Sequence, residues 1–136
     1  MSRSEPWGPS EDLVEANLGY YQAFEAADMD AMSERWERSD RAICTHPGWA
    51  TLRGWGAVAA SFFTLFQHGA TVQFVLTNLE PVVAGNVGWV CLDENLLGEQ
   101  TGVTVASLNL FMRDRPGSAW RMVCHHGSVV HALADP

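Results

Sequence analysis

The stretch AVAASFFTLFQHGATVQFVLTNLEPVVA, Ala57 to Ala84, decides the fold, because the repeat of its apolar side chains changes halfway along. Val58, Phe62, Leu65 and Phe66 recur at helical spacing, which predicts a helix over Ala57 to Gln67. Gly54 or Gly56 opens this helix, and Gly69 is placed to cap its end. Beyond Ala70 the period becomes two, so Thr71 to Ala84 reads as one long strand, interrupted at Pro81.

Helical signals lie before this stretch and strand signals after it. Pro9 and Ser10, followed by Glu11 and Asp12, make a helix start with acids at the positive end of the dipole. Leu13, Ala16, Tyr20, Ala23 and Ala27 then repeat at helical spacing. Asp28-Met29-Asp30 is a break and a new cap, with a second helix from Ala31 to Arg38 and a brief strand from Arg41 to Thr45. Downstream, Gly85-Asn86 is a hairpin turn, Val87 to Leu97 a strand, Gly98 to Gly102 a turn and Val103 to Arg113 a strand. Arg115 to Ser118 turns the chain again, and Trp120 to Val130 is the last strand. Three helices followed by a long antiparallel meander predict an α+β domain with helices on one face of a curved sheet. Pro81 and Gly88 mark candidate bulges. The expected organisation is a flexible tail over residues 1–9 and one domain over residues 10–131.

Composition narrows the function classes. The 136 residues carry a net charge of −8, with eight Arg and no Lys. Nucleic-acid and anionic-membrane binding need clustered cations, so neither is expected. No run reaches the roughly 18 apolar residues of a membrane span. Met1 to Ser10 lacks the apolar core of a signal peptide. Cys44, Cys91 and Cys124 are odd in number and lie in apolar runs, which reads as buried, reduced thiols in a cytoplasmic protein. Six Trp and six Phe can fill a core, line a pocket or form a dimer face.

The chemically informative motif is Cys44-Thr45-His46-Pro47-Gly48-Trp49. Pro47 and Gly48 form a stiff turn that cannot continue a ladder. It holds a titratable imidazole beside a large aromatic ring, as a small-molecule site requires. The competing reading is a surface turn plugged by a Trp.

Four segments, in this order, resemble the nuclear-transport-factor-2-like superfamily. They are Tyr21 to Asp30 (YQAFEAADMD), His46 to Trp49, Arg53-Gly54, and Trp120 to His126 (WRMVCHH). The superfamily includes ketosteroid isomerases, SnoaL-like polyketide cyclases and the association domain of calcium/calmodulin-dependent protein kinase II. The resemblance implies a cystatin-like roll: a strongly bent mixed sheet wrapped around three helices, leaving an apolar pocket. Such folds host isomerases, cyclases, dehydratases and oligomerisation modules, so the fold alone does not assign an activity.

The resemblance to the isomerases also places site residues. Tyr20 takes the position of the helix-one Tyr, His46 that of the proton-moving Asp before a Pro, and Asn109 that of the strand Asp. This chain therefore carries Tyr, His and Asn where the isomerases carry Tyr, Asp and Asp. In that scheme His46 moves the proton, and Tyr20 and Asn109 donate to an oxyanion. Trp49, Phe63, Phe66 and Trp89 are the expected walls. Asp93 is the odd polar member on the strand face of Trp89 and Cys91. His125 and His126 point to opposite faces of a regular strand, and period alone does not say which reaches the pocket. His126, on the face of Trp120, Met122 and Cys124, is the one assigned to it. No tight metal-ligand spacing occurs, and the reading calls for neither metal nor cofactor. The expected partner is a small apolar or aromatic oxygenated molecule, and the expected assembly a homodimer. The alternative is a non-catalytic ligand-binding or association module.

Overall fold

The computed structural model describes residues 8–68, 72–97 and 102–131. Gly69, Thr71, the first four residues of the Gly98-to-Gly102 turn and the tail before Gly8 lie outside these. Three helices precede the long strands, as the change of period requires: α1 (Glu11–Glu25), α2 (Met29–Arg35), β1 (Ile43–Thr45), β2 (Leu52–Arg53), α3 (Trp55–Gln67), β3 (Gln73–Ala84), β4 (Val87–Leu97), β5 (Val103–Met112) and β6 (Arg121–Val129). The six strands form one mixed sheet in the order β2-β1-β6-β5-β4-β3. Only β1 and β6 run parallel; every other pair is antiparallel. The sheet curls around the helices in a cone-like α+β fold.

Local chemistry explains the helix ends. Asp28 caps α2, its carboxylate accepting from Ala31 N at 3.0 Å. Gly54 opens α3 at φ +86°, a backbone conformation that favours glycine. The core lies between α1, α3 and the inner face of the sheet, where Leu13, Tyr20, Tyr21, Met32, Trp36, Phe62, Phe111 and Met122 are buried together. β2 was not expected. It is two residues long, pairs antiparallel with β1 and packs Leu52 against the core.

Two bulges set which residues face inward. In β3 the register shifts between Thr77 and Glu80, and Asn78 there adopts φ +58°. Pro81 does not interrupt the strand: it pairs with Val90, on an edge strand where its missing N–H costs no ladder bond. In β6, Leu110 pairs with Cys124 but Phe111 pairs with Met122, so Val123 is an extra residue. Cys44 is buried, as expected of an apolar thiol. Cys124 is only half-buried, and Cys91 is exposed because it projects from the outer face of β4.

Candidate functional site

A cavity of about 330 Å³ opens between α1, α3, the β1 exit and the inner face of the sheet. His46 stands where β1 leaves the sheet. His46 to Trp49 form a hydrogen-bonded turn, with Trp49 N donating to His46 O at 2.8 Å. Pro47 presets the second position, and Gly48, at φ +84°, supplies the third. The turn brings the Trp49 ring edge-on to the imidazole at 4.9 Å between centroids. Phe62 of α3 packs edge-on from another side at 5.1 Å. Both His46 and Trp49 line the cavity.

The tautomer of His46 follows from its partner. Ser61 Oγ donates its one proton to Val58 O at 2.6 Å, so it must accept from His46 Nε2–H at 2.9 Å. The lone pair of the neutral ring is then on Nδ1. Burial lowers the His46 pKa from 6.5 to about 4, which keeps the ring neutral at physiological pH.

A second imidazole is held in the same way. His125 Nδ1 bonds Asn109 Oδ1, which leaves its lone pair on Nε2. Burial, with smaller contributions from His46 and His126, lowers its pKa to about 3. The His46 and His125 ring centroids are 6.3 Å apart, and both rings line the cavity.

Glu94 is the carboxyl group of the site. It is 4% exposed on the inner face of β4, and its Oε2 accepts from Tyr21 Oη at 2.6 Å and Ser107 Oγ at 2.8 Å. Burial raises its pKa against the opposing effect of those two bonds. Tyr20 lines the cavity as well. Its buried hydroxyl has no hydrogen-bond partner among the described residues.

The structure brings His46, Tyr20 and Trp49 to one cavity, but it places the other expected residues elsewhere. Asn109 is fully buried and does not line the cavity. Its Nδ2 donates to Asn17 Oδ1 at 2.8 Å and Tyr21 Oη at 3.0 Å, so both amide protons are spent on protein groups. Phe63 is 53% exposed on the outer side of α3, and the half-buried Phe66 packs edge-on against Phe24 at 5.6 Å beside the core. Neither lines the cavity. Trp89 and Asp93 lie on the outer face of β4, because the buried alternation runs through Gly88, Val90, Leu92 and Glu94. Asp93 accepts from Asn78 Nδ2 at 2.7 Å. His126 is exposed and His125 buried, because the extra residue at Val123 reverses the alternation of β6 midway.

Three site groups escaped the sequence reading, and two carried a signal. Glu94 is the polar member of an otherwise apolar alternation from Val90 to Leu96, and Asn17 falls four residues after Leu13 in the buried stripe of α1. Tyr21 gave none, since it adjoins Tyr20 and both are buried.

A family model described as the SnoaL-like domain matches residues 13–132. The chain belongs to the SnoaL-like family. Among solved structures, this SnoaL-like chain is similar to a candidate dehydratase of the nuclear-transport-factor-2-like family from Streptomyces avermitilis. They are 31% identical, with a TM-score of 0.81, over 90% of this chain and 96% of that one. It is also similar to a candidate calcium/calmodulin-dependent protein kinase type II association domain from Thiobacillus denitrificans, at 30% identity and TM-score 0.76, over 85% and 93% of the two chains. A cystatin-like fold protein from Burkholderia xenovorans shares the fold at TM-score 0.73 and 16% identity, over 90% and 92%. No curated protein matches the chain. Among the described residues of this SnoaL-like domain, no group of three His, Cys, Asp or Glu could hold a metal ion. No described helix is long and apolar enough to cross a membrane.

Proposed function

We propose that this SnoaL-like domain is a cofactor-independent acid–base enzyme acting on a small, largely apolar, oxygenated molecule. One observation carries the reading. The cavity combines aromatic and aliphatic walls with two neutral imidazoles, and no Lys or Arg is among its described lining residues. His46 Nδ1 accepts the proton from a carbon beside a carbonyl, and the unpartnered hydroxyl of Tyr20 is the donor available to the resulting oxyanion. Isomerisation, aldol cyclisation and dehydration all begin with that step. The Streptomyces similarity supports dehydration among the three.

The test is proton exchange in deuterium oxide. The protein should speed deuterium uptake beside the carbonyl of phenylacetone, and His46→Ala should lose the acceleration. Equal uptake with both proteins overturns the reading.

A second reading, an association module, is favoured by the Thiobacillus similarity. It is compatible with a homodimer, which we propose on separate grounds: Leu108, 43% exposed, lies beside Cys91 on the outer face of the sheet, next to the Trp89–Leu110 pair. A cytoplasmic location, with one domain over residues 10–131, remains part of the proposal. Three free cysteines support the location.

A further inference from the structure

We propose that Glu94 is a second proton-transferring residue of this cavity, held by Tyr21 and Ser107 so that its exchangeable proton sits on Oε1, and that the substrate is an uncharged β-hydroxy carbonyl compound. The inference rests on the reading of His46 given above and extends it to the leaving group.

The geometry of the carboxyl group carries the argument. Both hydroxyl donors reach the same oxygen, Oε2. In the protonated form the oxygen that accepts two hydrogen bonds is the carbonyl-type oxygen, so the acid proton then belongs on the other one. Among the described residues no hydrogen bond reaches Oε1. Tyr21 is itself anchored, because its oxygen accepts from Asn109 Nδ2. The donors that orient Glu94 are therefore fixed before any ligand arrives.

The surroundings favour the neutral form. The titratable groups that line the cavity with Glu94 are Tyr20 and Tyr21 from α1, His46 from the β1 exit and His125 from β6. Cys44 of β1 also feels the Glu94 charge, and burial pushes its thiol up. None of these groups is a cation at neutral pH, since both imidazoles are held neutral. Burial accordingly raises the Glu94 carboxyl above its ordinary value. The same lack of cations disfavours an anionic substrate, whose charge would be buried without compensation.

The chemistry balances without a co-reactant. His46 Nδ1 takes the proton beside the carbonyl, and the C–H electron pair becomes the enolate. That pair then forms the carbon–carbon double bond as the bond to the β oxygen breaks. The proton on Glu94 Oε1 passes to the departing oxygen, and water leaves. Each group alone resists charging in this cavity, but the step charges them with opposite signs. Return of the proton from His46 to Glu94 through solvent resets the site.

The probe is the aldol of benzaldehyde and acetone, whose dehydration gives benzylideneacetone. Glu94→Gln should lower its dehydration about 100-fold, within the usual range for an acid catalyst. In the same variant dehydration should fall much further than deuterium uptake beside the carbonyl, whereas His46→Ala should lose both. Independently of any substrate, infrared spectra of the wild type should show a protonated carboxyl band just above the pH at which exposed glutamates ionise. That band should vanish in Glu94→Gln and persist to higher pH in Tyr21→Phe and Ser107→Ala. Full dehydration by Glu94→Gln, or absence of the band, overturns the role of Glu94. A wild type that neither exchanges nor dehydrates the aldol overturns the substrate class and the reading of His46 with it, while the band still decides Glu94.

Discussion

Tyr21 Oη and Glu94 Oε2 lie 2.6 Å apart although 73 residues separate them in the chain. The bond joins α1 to the inner face of β4, and Asn109 extends it to Asn17 and His125. With Ser107, which also donates to Glu94 Oε2, six polar side chains form a continuous network through α1, β4, β5 and β6. Removing a partner from such a network leaves a buried polar group uncompensated, which is costly.

Asn109 is its hub, so Asn109→Leu should destabilise the fold. The change strands Asn17 Oδ1 and the His125 ring N–H in a buried setting. Each buried group left unpaired costs about 1–3 kcal/mol. Urea unfolding monitored by circular dichroism should show a loss of at least about 2 kcal/mol. An unchanged midpoint would mean that the amide is not structural.

Stability should fall on acidification through the histidine window. His46 and His125 titrate at about 4 and 3 in the folded chain, against 6.5 for the ordinary residue. The unfolded chain binds more protons between those values, so unfolding becomes easier as pH drops below 6.5. One pKa unit corresponds to about 1.4 kcal/mol, which makes the loss several kcal/mol by pH 4. Glu94 acts with the opposite sign: its folded pKa is raised, so it withdraws stability as pH rises above 4.5. Two buried imidazoles outweigh one carboxyl in the lower window. Urea midpoints that stay level between pH 6.5 and 4 would contradict the buried neutral rings.

Ligand entry should be visible in tryptophan fluorescence. Trp49 is 41% exposed, lines the cavity and sits 4.9 Å from the His46 ring. Titration with the benzaldehyde–acetone aldol should change the emission, and Trp49→Phe should remove most of that change. A signal fully retained in Trp49→Phe would place binding elsewhere.

The outer sheet face gives a test of assembly. Leu108 lies between Cys91 and His126 across neighbouring strands and is 43% exposed. A charge at its centre should oppose packing between two copies. Sedimentation equilibrium should find a dimer for the wild type and a 15.0 kDa monomer for Leu108→Glu. A wild-type monomer at tens of micromolar would end the dimer reading.

Much of this architecture is legible in the sequence because periodicity survives over long elements. The bounds of β4 agree with the alternation from Val87 to Leu97, and the cap at Asp28 with its local chemistry. The His46 turn is legible because Pro47 and Gly48 act within four residues. Inward and outward assignments fail where one residue changes the count. Asp93 and Glu94 are adjacent, and both faces of β4 contain apolar residues, so composition did not reveal the phase. Phe62 and Phe63 pose the same difficulty on α3, where only Phe62 is buried with Val58 and Ser61. β2 is too short to have a period at all.

The extra residue at Val123 turns chain length into a determinant of site chemistry. Removing the extra residue would leave His125 opposite Asn109 and still inward, whereas carrying Val123 in a regular, unbulged strand would turn His126 inward and His125 outward. Because the histidines are neighbours, either reading frame of the strand delivers an imidazole to the cavity. The paired histidines therefore give this position a tolerance to single-residue insertion and deletion that His46, alone at the end of β1, does not have.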